Sequence, residues 1–384
     1  MRYEDFSGSP SGRLKKTPNG YWAFLPNPLP PKIEYDERLA NILAQAASKL
    51  SNLAGLGERL PNPHLLVSPC IRREAVLSSR IEGTQASLSD LFFFEAGETK
   101  EPVGPRDVLE VSNYVQAMEY GLNRLKELPL SLRLVKELHG ILMTGVRGER
   151  KTPGEFRTTQ NWIGAPGCNL KEATFVPPSP EVLLEILGEW EKFLHYPGEI
   201  HPLIQCALVH YQFETIHPFL DGNGRMGRLL ITLFLCEKGF LDQPLLYLSA
   251  FFNRYRNEYY DSLLAVSREG NWRGWLEFFL RGVAVQSAEA ILGAKKVLDL
   301  QQEYRLRLGG RRLPAGTLKL LDRLFENPYI GISRAAKLLN VSYHTADRVI
   351  SRLEKEGILT EITGQTRDRI FAAQELMNAL AELD

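Results

Sequence analysis

Only four cysteines occur in 384 residues, at positions 70, 168, 206 and 236, and no two are spaced as C-x-x-C. That excludes a disulfide scaffold and a thiol zinc centre of recognisable spacing; Cys206 and Cys236 fall inside apolar helical patterns and read as buried thiols. Long apolar runs are missing too. The stretch Leu229–Cys236 falls far short of the roughly 20 residues a membrane span requires, so no membrane role is expected. Nor is there an excess of charge: 46 Lys and Arg face 46 Asp and Glu, and any surface for a polyanion must be local. The opening MRYEDFSGSPSGR carries acidic residues and no apolar centre, unlike a secretory or transit sequence, so a cytoplasmic location is expected. What is present is ordinary globular usage, 44% hydrophobic and 24% charged. At about 150 residues per domain it predicts two to three domains with a large core.

Prolines 10, 18, 26, 28, 30 and 31, with few periodic apolar positions, describe residues 1–35 as an extended arm wrapped on the body. A helical region follows over 36–120, where Leu39, Ile42, Leu43 and Ala46 keep the i, i+3, i+4, i+7 rule. Within it, Ser68 as N-cap, Pro69 at the first helical position and Gly83 just past the end bracket a helix over 69–83. Helical periodicity resumes at Leu132–Leu142, Pro180–Phe193, Ile204–Phe213, Gly224–Lys238, Leu246–Val266 and Trp272–Leu308. Gln160–Ile163 and Ala173–Val176 alone look like strands, and the turn-rich Gly164-Ala165-Pro166-Gly167 separates them. The body over 121–300 is therefore mainly α with one hairpin. A break at Gly309-Gly310 precedes a further unit, 313–384.

The chemistry concentrates in HPFLDGNGRMGR, His217 to Arg228, between the apolar helix ending near Phe213 and the helix LLITLFLCEKG. Gly222-Asn223-Gly224 permits converging backbone N–H groups, and the helix that follows adds unpaired donors and its positive dipole end. Together they make an anion site. Arg225 and Arg228, three apart on the first turn, share a side on which both forks could hold phosphate oxygens. Asp221 offers a carboxylate of the kind Mg²⁺ uses beside nucleotide phosphates. His217 supplies a neutral imidazole as a general base. His210 reads as a packed helix residue, since no acidic or thiol ligand joins it and His201 at metal spacing.

This segment resembles the Fic family motif HPFxDGNGRxxR at all nine fixed positions: His217, Pro218, Phe219, Asp221, Gly222, Asn223, Gly224, Arg225 and Arg228. LHGILM, PGEFR, QNWIG, ATFVPP and YLSAFFNRYRNEYYDSL extend the resemblance over most of 36–300. It implies a helical Fic fold and transfer of AMP from ATP to a Ser, Thr or Tyr hydroxyl of a protein target, itself included, with release of pyrophosphate. His217 would take the hydroxyl proton. Asp221 would hold Mg²⁺, while Asn223 and the Gly222 and Gly224 amides would bind phosphate oxygens; Arg225 would meet the β-phosphate and Arg228 the γ-phosphate. The hairpin would be a flap that pairs with the target backbone. Tyr255 and Tyr260 would border the nucleoside, although Tyr255-Arg256-Asn257-Glu258-Tyr259-Tyr260 departs from the Asn-Arg order of many relatives. At least one of Tyr259 and Tyr260 reads as a core aromatic. Relatives that transfer other phosphate-containing groups, or remove AMP, keep those alternatives open.

Upstream, SSRIEGT ends the 69–83 helix and places Ser78 and Glu82 on one face. A carboxylate in a last helical turn faces the negative dipole end and calls for a compensating cation. The segment resembles the family's inhibitory motif, with Ser78, Glu82 and Gly83 at its fixed positions and Ser79 beside them. That resemblance implies that Glu82 pairs with Arg228 and displaces the γ-phosphate.

After Leu313 the pattern changes to a short helix around Ala335–Leu339, a turn at Asn340-Val341-Ser342, a second helix from Ser342 to Lys355, and two strands around Gly364. This resembles a winged helix-turn-helix with Ser342, Tyr343, His344, Thr345 and Arg348 on the recognition helix. Between Arg311 and Ile370 there are 11 Lys and Arg against 7 Asp and Glu, an excess that suits either DNA or a protein partner. The overall expectation is a mainly α chain, a Fic fold with a β-hairpin flap plus a C-terminal winged helix, acting as a self-inhibited adenylyltransferase. The alternative is a nucleotide-sensing transcriptional regulator acting through the winged helix. A homodimer is left open.

Overall fold

The computed structural model describes residues 1–17, 19–58, 62–97, 105–146, 148–149, 151–309 and 313–381. Pro18 of the expected arm and Gly310 of the expected break lie outside them. The arm is folded, contrary to a purely extended reading. Strands Gly12–Lys16 (β1) and Trp22–Pro26 (β2) pair antiparallel, with Gly12 opposite Pro26 and Lys16 opposite Trp22. Pro10 and Pro28 flank the hairpin, and Pro26 closes a strand end, where a missing N–H does least harm. Phe24 of β2 is fully buried and packs with Phe6 and Phe175 at ring separations of 5.8 and 5.6 Å.

Helices then follow at Glu37–Glu58 (α1), His64–Ile81 (α2), Leu88–Ala96 (α3), Pro105–Arg124 (α4) and Leu132–Leu142 (α5). The second starts five residues before the expected Pro69, with Pro63 before its first turn. Burial of Leu65, Leu66 and Val67 favours the extra turn. Pro69 is tolerated because it deprives only the Leu65 carbonyl, close to the helix start. Gly83 ends the chain's helical path at φ 98°, a conformation that suits a residue without Cβ.

The body continues with Pro180–His195 (α6), Pro202–Ile216 (α7), Asn223–Glu237 (α8), Ser249–Arg254 (α9), Arg256–Glu269 (α10) and Trp272–Leu308 (α11). The expected single helix over Leu246–Val266 is two, divided at Tyr255, whose φ of −112° and ψ of 42° leave the helical region. Every residue of α7 from Leu203 to Phe213 is buried, so this helix is covered all round and forms the centre of the bundle. Helices α6, α8 and α11 surround it. Each fully buried Leu or Phe contributes roughly 1.5–3 kcal/mol relative to exposure, which fixes the register of α7 and α8 and with it the loop between them.

The expected hairpin over Gln160–Val176 is not a paired ladder. Ile163 and Phe175 form one isolated antiparallel bridge. Pro166, Pro177 and Pro178 remove donors, and the Gln160 side chain binds the Pro177 carbonyl at 3.0 Å in place of a ladder bond. The arm supports this segment instead: Phe24 N–H donates to the Val176 carbonyl at 2.9 Å, Tyr21 Oη to Gln160 Oε1 at 3.3 Å, and the N-terminal amine to the Ala173 carbonyl.

The chain closes with Thr317–Glu326 (α12), Tyr329–Gly331 (β3), Ile332–Leu339 (α13), Tyr343–Lys355 (α14), Thr360–Glu361 (β4), Ile370–Ala372 (β5) and Gln374–Ala381 (α15). Its sheet has the order β3-β5-β4, all antiparallel. Asn340 turns α13 into α14 at φ 55°, and Ser342 caps α14 by accepting from the Thr345 N–H. The arrangement is consistent with a winged helix-turn-helix. This unit does not stand apart. Helix α12 packs on α2; Ser68 Oγ donates to the Glu326 carbonyl at 3.3 Å, and Ser89 Oγ meets Tyr329 Oη at 2.7 Å. Among the described residues no helix is long and apolar enough to cross a membrane.

Candidate active site

Helix α7 ends on His217, which takes the left-handed conformation, φ 50° and ψ 60°. For a non-glycine residue this costs about 1–2 kcal/mol and persists where neighbours over-determine it. Here the His217 N–H donates to the Phe213 carbonyl at 3.0 Å, and its own carbonyl accepts from Arg157 Nε at 2.9 Å and Asn161 Nδ2 at 3.0 Å. Its Nδ1 lies 3.2 Å from the Glu214 carbonyl. A carbonyl only accepts, so Nδ1 carries the proton and Nε2 keeps its lone pair. Burial holds the imidazole pKa down at about 4, which leaves a neutral base at pH 7.

The loop to α8 is closed by its own side chains. Asn223 Oδ1 accepts from the Phe219 N–H and its Nδ2 donates to the Phe219 carbonyl, both at 2.8 Å. The Asn223 side chain is therefore committed to the loop, and what it turns toward an anion is its backbone N–H. Gly222 precedes α8 at φ 76°, and the first helical bond runs from Met226 N–H to the Gly222 carbonyl. The amides of Asn223, Gly224 and Arg225 have no acceptor within the helix.

His139 of α5 underpins the loop, and sequence reasoning did not single it out. Gly154 N–H donates to its Nδ1 at 2.9 Å, so Nε2 is the protonated nitrogen and donates to the Asp221 carbonyl at 3.0 Å. Its ring stacks on Phe219 at 3.6 Å. Asp221 Oδ1 accepts from the Gly222 N–H at 2.8 Å, and Oδ2 pairs with Lys151 Nζ at 3.0 Å. The described residues contain no cluster of three or more potential metal ligands. A single, partly exposed carboxylate fits Mg²⁺ held mainly by nucleotide phosphates.

The two arginines diverge, although three-residue spacing suggested a shared side. Arg225 turns to α4, where Nη1 pairs with Glu110 Oε2 at 3.3 Å, and Nη2 lies 3.5 Å from Met143 Sδ. Arg228 turns to α2. Its Nε donates to Ser78 Oγ and its Nη2 to the Ser78 carbonyl, both at 2.9 Å, and Nη2 meets Glu82 Oε1 at 2.7 Å. Burial works to lower the Arg228 pKa, and Glu82, with Tyr259, Tyr260 and Glu214 behind it, together more than offset it. A Cβ on Gly224 would collide with Glu82 Oε1, so this carboxylate rests on the α8 N-terminus, where the dipole favours negative charge. Ser79 is buried beside it, and its carbonyl accepts from the Glu82 N–H at 3.0 Å.

Tyr255 and Tyr260 both stay 41% exposed. The Arg256 guanidinium lies 5.7 Å from the Tyr260 ring, and Tyr255 packs on Phe251. Tyr259 is the core aromatic, buried with its hydroxyl 2.8 Å from His210 Nε2. His210 is thus a packed residue, and His201 caps α7 by accepting from the Leu203 N–H at 3.2 Å.

The Fic/DOC family N-terminal model matches residues 40–123, and the Fic/DOC family model matches residues 129–235. The chain carries a Fic domain. The protein adenylyltransferase Fic of Drosophila willistoni is 31% identical to it over 165 residues, 42% of this chain and 30% of that relative. Its counterpart in Drosophila grimshawi is 32% identical over the same span. The match covers less than a third of the length of these curated relatives. Among solved structures, a Fic family protein from Desulfovibrio desulfuricans G20 aligns with a TM-score of 0.59 at 19% identity, covering 90% of this chain and 98% of that one. Fic-1 from C. elegans aligns at 0.51 and 23% identity, covering 67% and 74%. These likenesses establish the Fic fold.

Proposed function

We propose that this chain is a protein adenylyltransferase that moves AMP from ATP to a hydroxyl of a protein target, itself included, and that Glu82 holds it at rest. The observation that carries the reading is the pairing of a base with an anion site across one short loop. The lone pair of His217 Nε2 stands at one end, and the unpaired amides of Asn223, Gly224 and Arg225 with the Arg228 guanidinium stand at the other. The name of the Drosophila relatives, protein adenylyltransferase, supports the reaction class.

In the reaction, His217 Nε2 takes the hydroxyl proton as the oxygen forms its bond to the α-phosphorus. The bond from the α-phosphorus to the bridging oxygen breaks, and pyrophosphate leaves. The α8 amides hold phosphate oxygens, Arg228 meets the γ-phosphate, and the low pKa of His217 keeps the base unprotonated. Mg²⁺ on Asp221 would supply charge neutralisation for the phosphates. Arg225 serves from behind, bracing α8 on α4 through Glu110. Tyr255 and Tyr260, both partly exposed at the start of α10, would border the nucleoside. With Arg228 bound to Glu82 the γ-phosphate lacks its cation, and ATP then binds without reacting.

Intact mass spectrometry after incubation with Mg·ATP tests this. Glu82→Gly should carry a covalent AMP adduct that wild type accumulates far more slowly. A Glu82→Gly protein that stays unmodified, and modifies no protein in a lysate given labelled ATP, would end the reading.

A DNA-directed reading draws on α14. Tyr343, His344 and Arg348 are exposed on it, and its Asp347 is neutralised by Arg369 of the wing at 3.0 Å. Retention of labelled duplex that weakens steeply with salt, and is lost in Arg348→Ala, would support it; no retention at low salt would exclude it.

A further inference from the structure

Arg157 lies in PGEFR, and it is 2% exposed. Among the described residues no carboxylate stands within ion-pair distance of it. Its donors go to backbone carbonyls: Nε to His217 at 2.9 Å, Nη2 to Ile216 at 3.3 Å and to Pro178, and Nη1 to Thr159 at 3.4 Å. Its own backbone N–H reaches the Pro218 carbonyl at 2.9 Å. These acceptors belong to two segments distant in sequence, the roots of the flap at 159 and 178 and the catalytic turn at 216–218. Asn161 repeats the pattern, donating from Nδ2 to the His217 carbonyl at 3.0 Å and to the Phe219 carbonyl at 2.8 Å. The His217 carbonyl thus accepts from two buried side chains, one just before the flap and one at its start.

A buried cation is expensive unless many acceptors surround it. Only a guanidinium, with five donors in a planar fork, reaches carbonyls on two sides at once; a lysine ammonium is a single point. Burial pulls the Arg157 pKa down to about 10, which still leaves a cation at neutral pH. The arrangement holds His217 in its left-handed conformation, from which the imidazole leaves the end of α7.

We propose that Arg157 and Asn161 are positioning residues that lock the His217 turn to the flap, so that a protein segment docked on the flap meets the imidazole at one fixed separation. This rests on the adenylyltransferase reading of the site. Neither side chain hydrogen-bonds the α8 amides or Arg228, and the Phe219 carbonyl that Asn161 shares keeps its own bond from Asn223 Nδ2, so the lock acts on the base and leaves the phosphate end in place. Misplacing a catalytic group by about 1 Å can lower a rate by about 100-fold.

The test uses the full chain carrying Glu82→Gly, with Mg·ATP as the probe and its own modification as the reaction, measured in single turnover. Arg157→Gln, Arg157→Lys and Asn161→Ala should each lower the saturated rate at least about tenfold, with the Kd for Mg·ATP within about twofold of the parent. Arg157→Lys should fare no better than Arg157→Gln, because charge without the fork does not make the lock. Hydrogen exchange should quicken together at 216–222 and 160–176. A rate within twofold of the parent in both Arg157→Gln and Asn161→Ala would overturn the proposal. So would a loss of Mg·ATP affinity in proportion to the rate, which marks general damage. If Arg157→Gln does not fold, Asn161→Ala decides alone. If the Glu82→Gly parent transfers no AMP, the proposed function fails, and the exchange data still decide the lock: quickening in only one segment overturns it.

Discussion

The turn at His217 and the last turn of α2 meet over the N-terminus of α8, and they are held there by opposite means. His217 is fixed through its backbone by two buried side chains. Glu82 arrives on a side chain that is 38% exposed and grips a single cation, Arg228, whose own side chain is 1% exposed. The first contact cannot change without disturbing two loops; the second is undone when one carboxylate swings outward. Arg225 and Arg228 repeat the contrast within one helical turn, one tied into the scaffold through Glu110 and the other bound to a removable partner. On the proposed reading the molecule separates a fixed apparatus from an exchangeable occupant, and mutations should sort along that line.

The largest effect is expected on the fixed side. His217→Ala should abolish AMP transfer while Mg·ATP affinity, by calorimetry, stays nearly unchanged, because as the proposed base the imidazole would move a proton and bind no phosphate. Retained transfer at the parent rate would remove its assignment as base. Next is Arg225→Ala, which leaves Glu110 buried without its cation. It should lower stability by up to about 3 kcal/mol, read as an earlier urea midpoint that Mg·ATP does not restore. Glu82→Gly should behave differently. It strands Arg228, but an incoming phosphate replaces the lost carboxylate, so Mg·ATP should raise its Tm by more than it raises that of wild type. Equal shifts would place Glu82 outside the phosphate site.

The smallest effect concerns Glu214, whose Oε1 is buried without a hydrogen-bond partner among the described residues and whose pKa burial pushes up to about 7 from 4.5. The folded value lies above the unfolded one, so its contribution is fully present below pH 4.5 and is lost as pH rises through 7. The stability advantage of Glu214→Gln over wild type should therefore grow between those limits and level off above them. His139, His210 and His217, held at about 4, 3 and 4 by burial, run the other way, and lose stability as pH falls from 6.5. A flat difference between Glu214→Gln and wild type across this range would show that the carboxyl titrates normally.

The parts of this design legible in sequence are those with local signatures. Helices α5 and α11 match their expected bounds, since each has a cap residue and an uninterrupted period. The glycine-rich turn into α8 and the carboxylate at the end of α2 stand out for the same reason, and the structure brings Glu82 to Arg228 across 146 residues of chain. Other features have no such mark. Pro63 and Pro69 both suit a helix start, and only the burial of the residues between them chooses the first. The arm's hairpin is hidden because prolines flank its strands. Arg157, Asn161 and His139 act on backbone carbonyls, which any residue offers, so no partner pattern betrays them. Arg225 parts from Arg228 because Glu110 stands on one side of α8 and α2 on the other, a fact of packing that a helical wheel does not contain.

The central claim is that Glu82 restrains the site through Arg228, and the rate of AMP transfer in a double-mutant cycle tests it most directly. Wild type, Glu82→Gly, Arg228→Ala and the double variant are compared at saturating Mg·ATP. Glu82→Gly should raise the rate by at least about tenfold, corresponding to about 1.4 kcal/mol, and Arg228→Ala should lower it. Once Arg228 is gone, adding Glu82→Gly should change the rate by less than about twofold, because the restraint has lost its target. Equal activation in both backgrounds would contradict the account and place the action of Glu82 elsewhere.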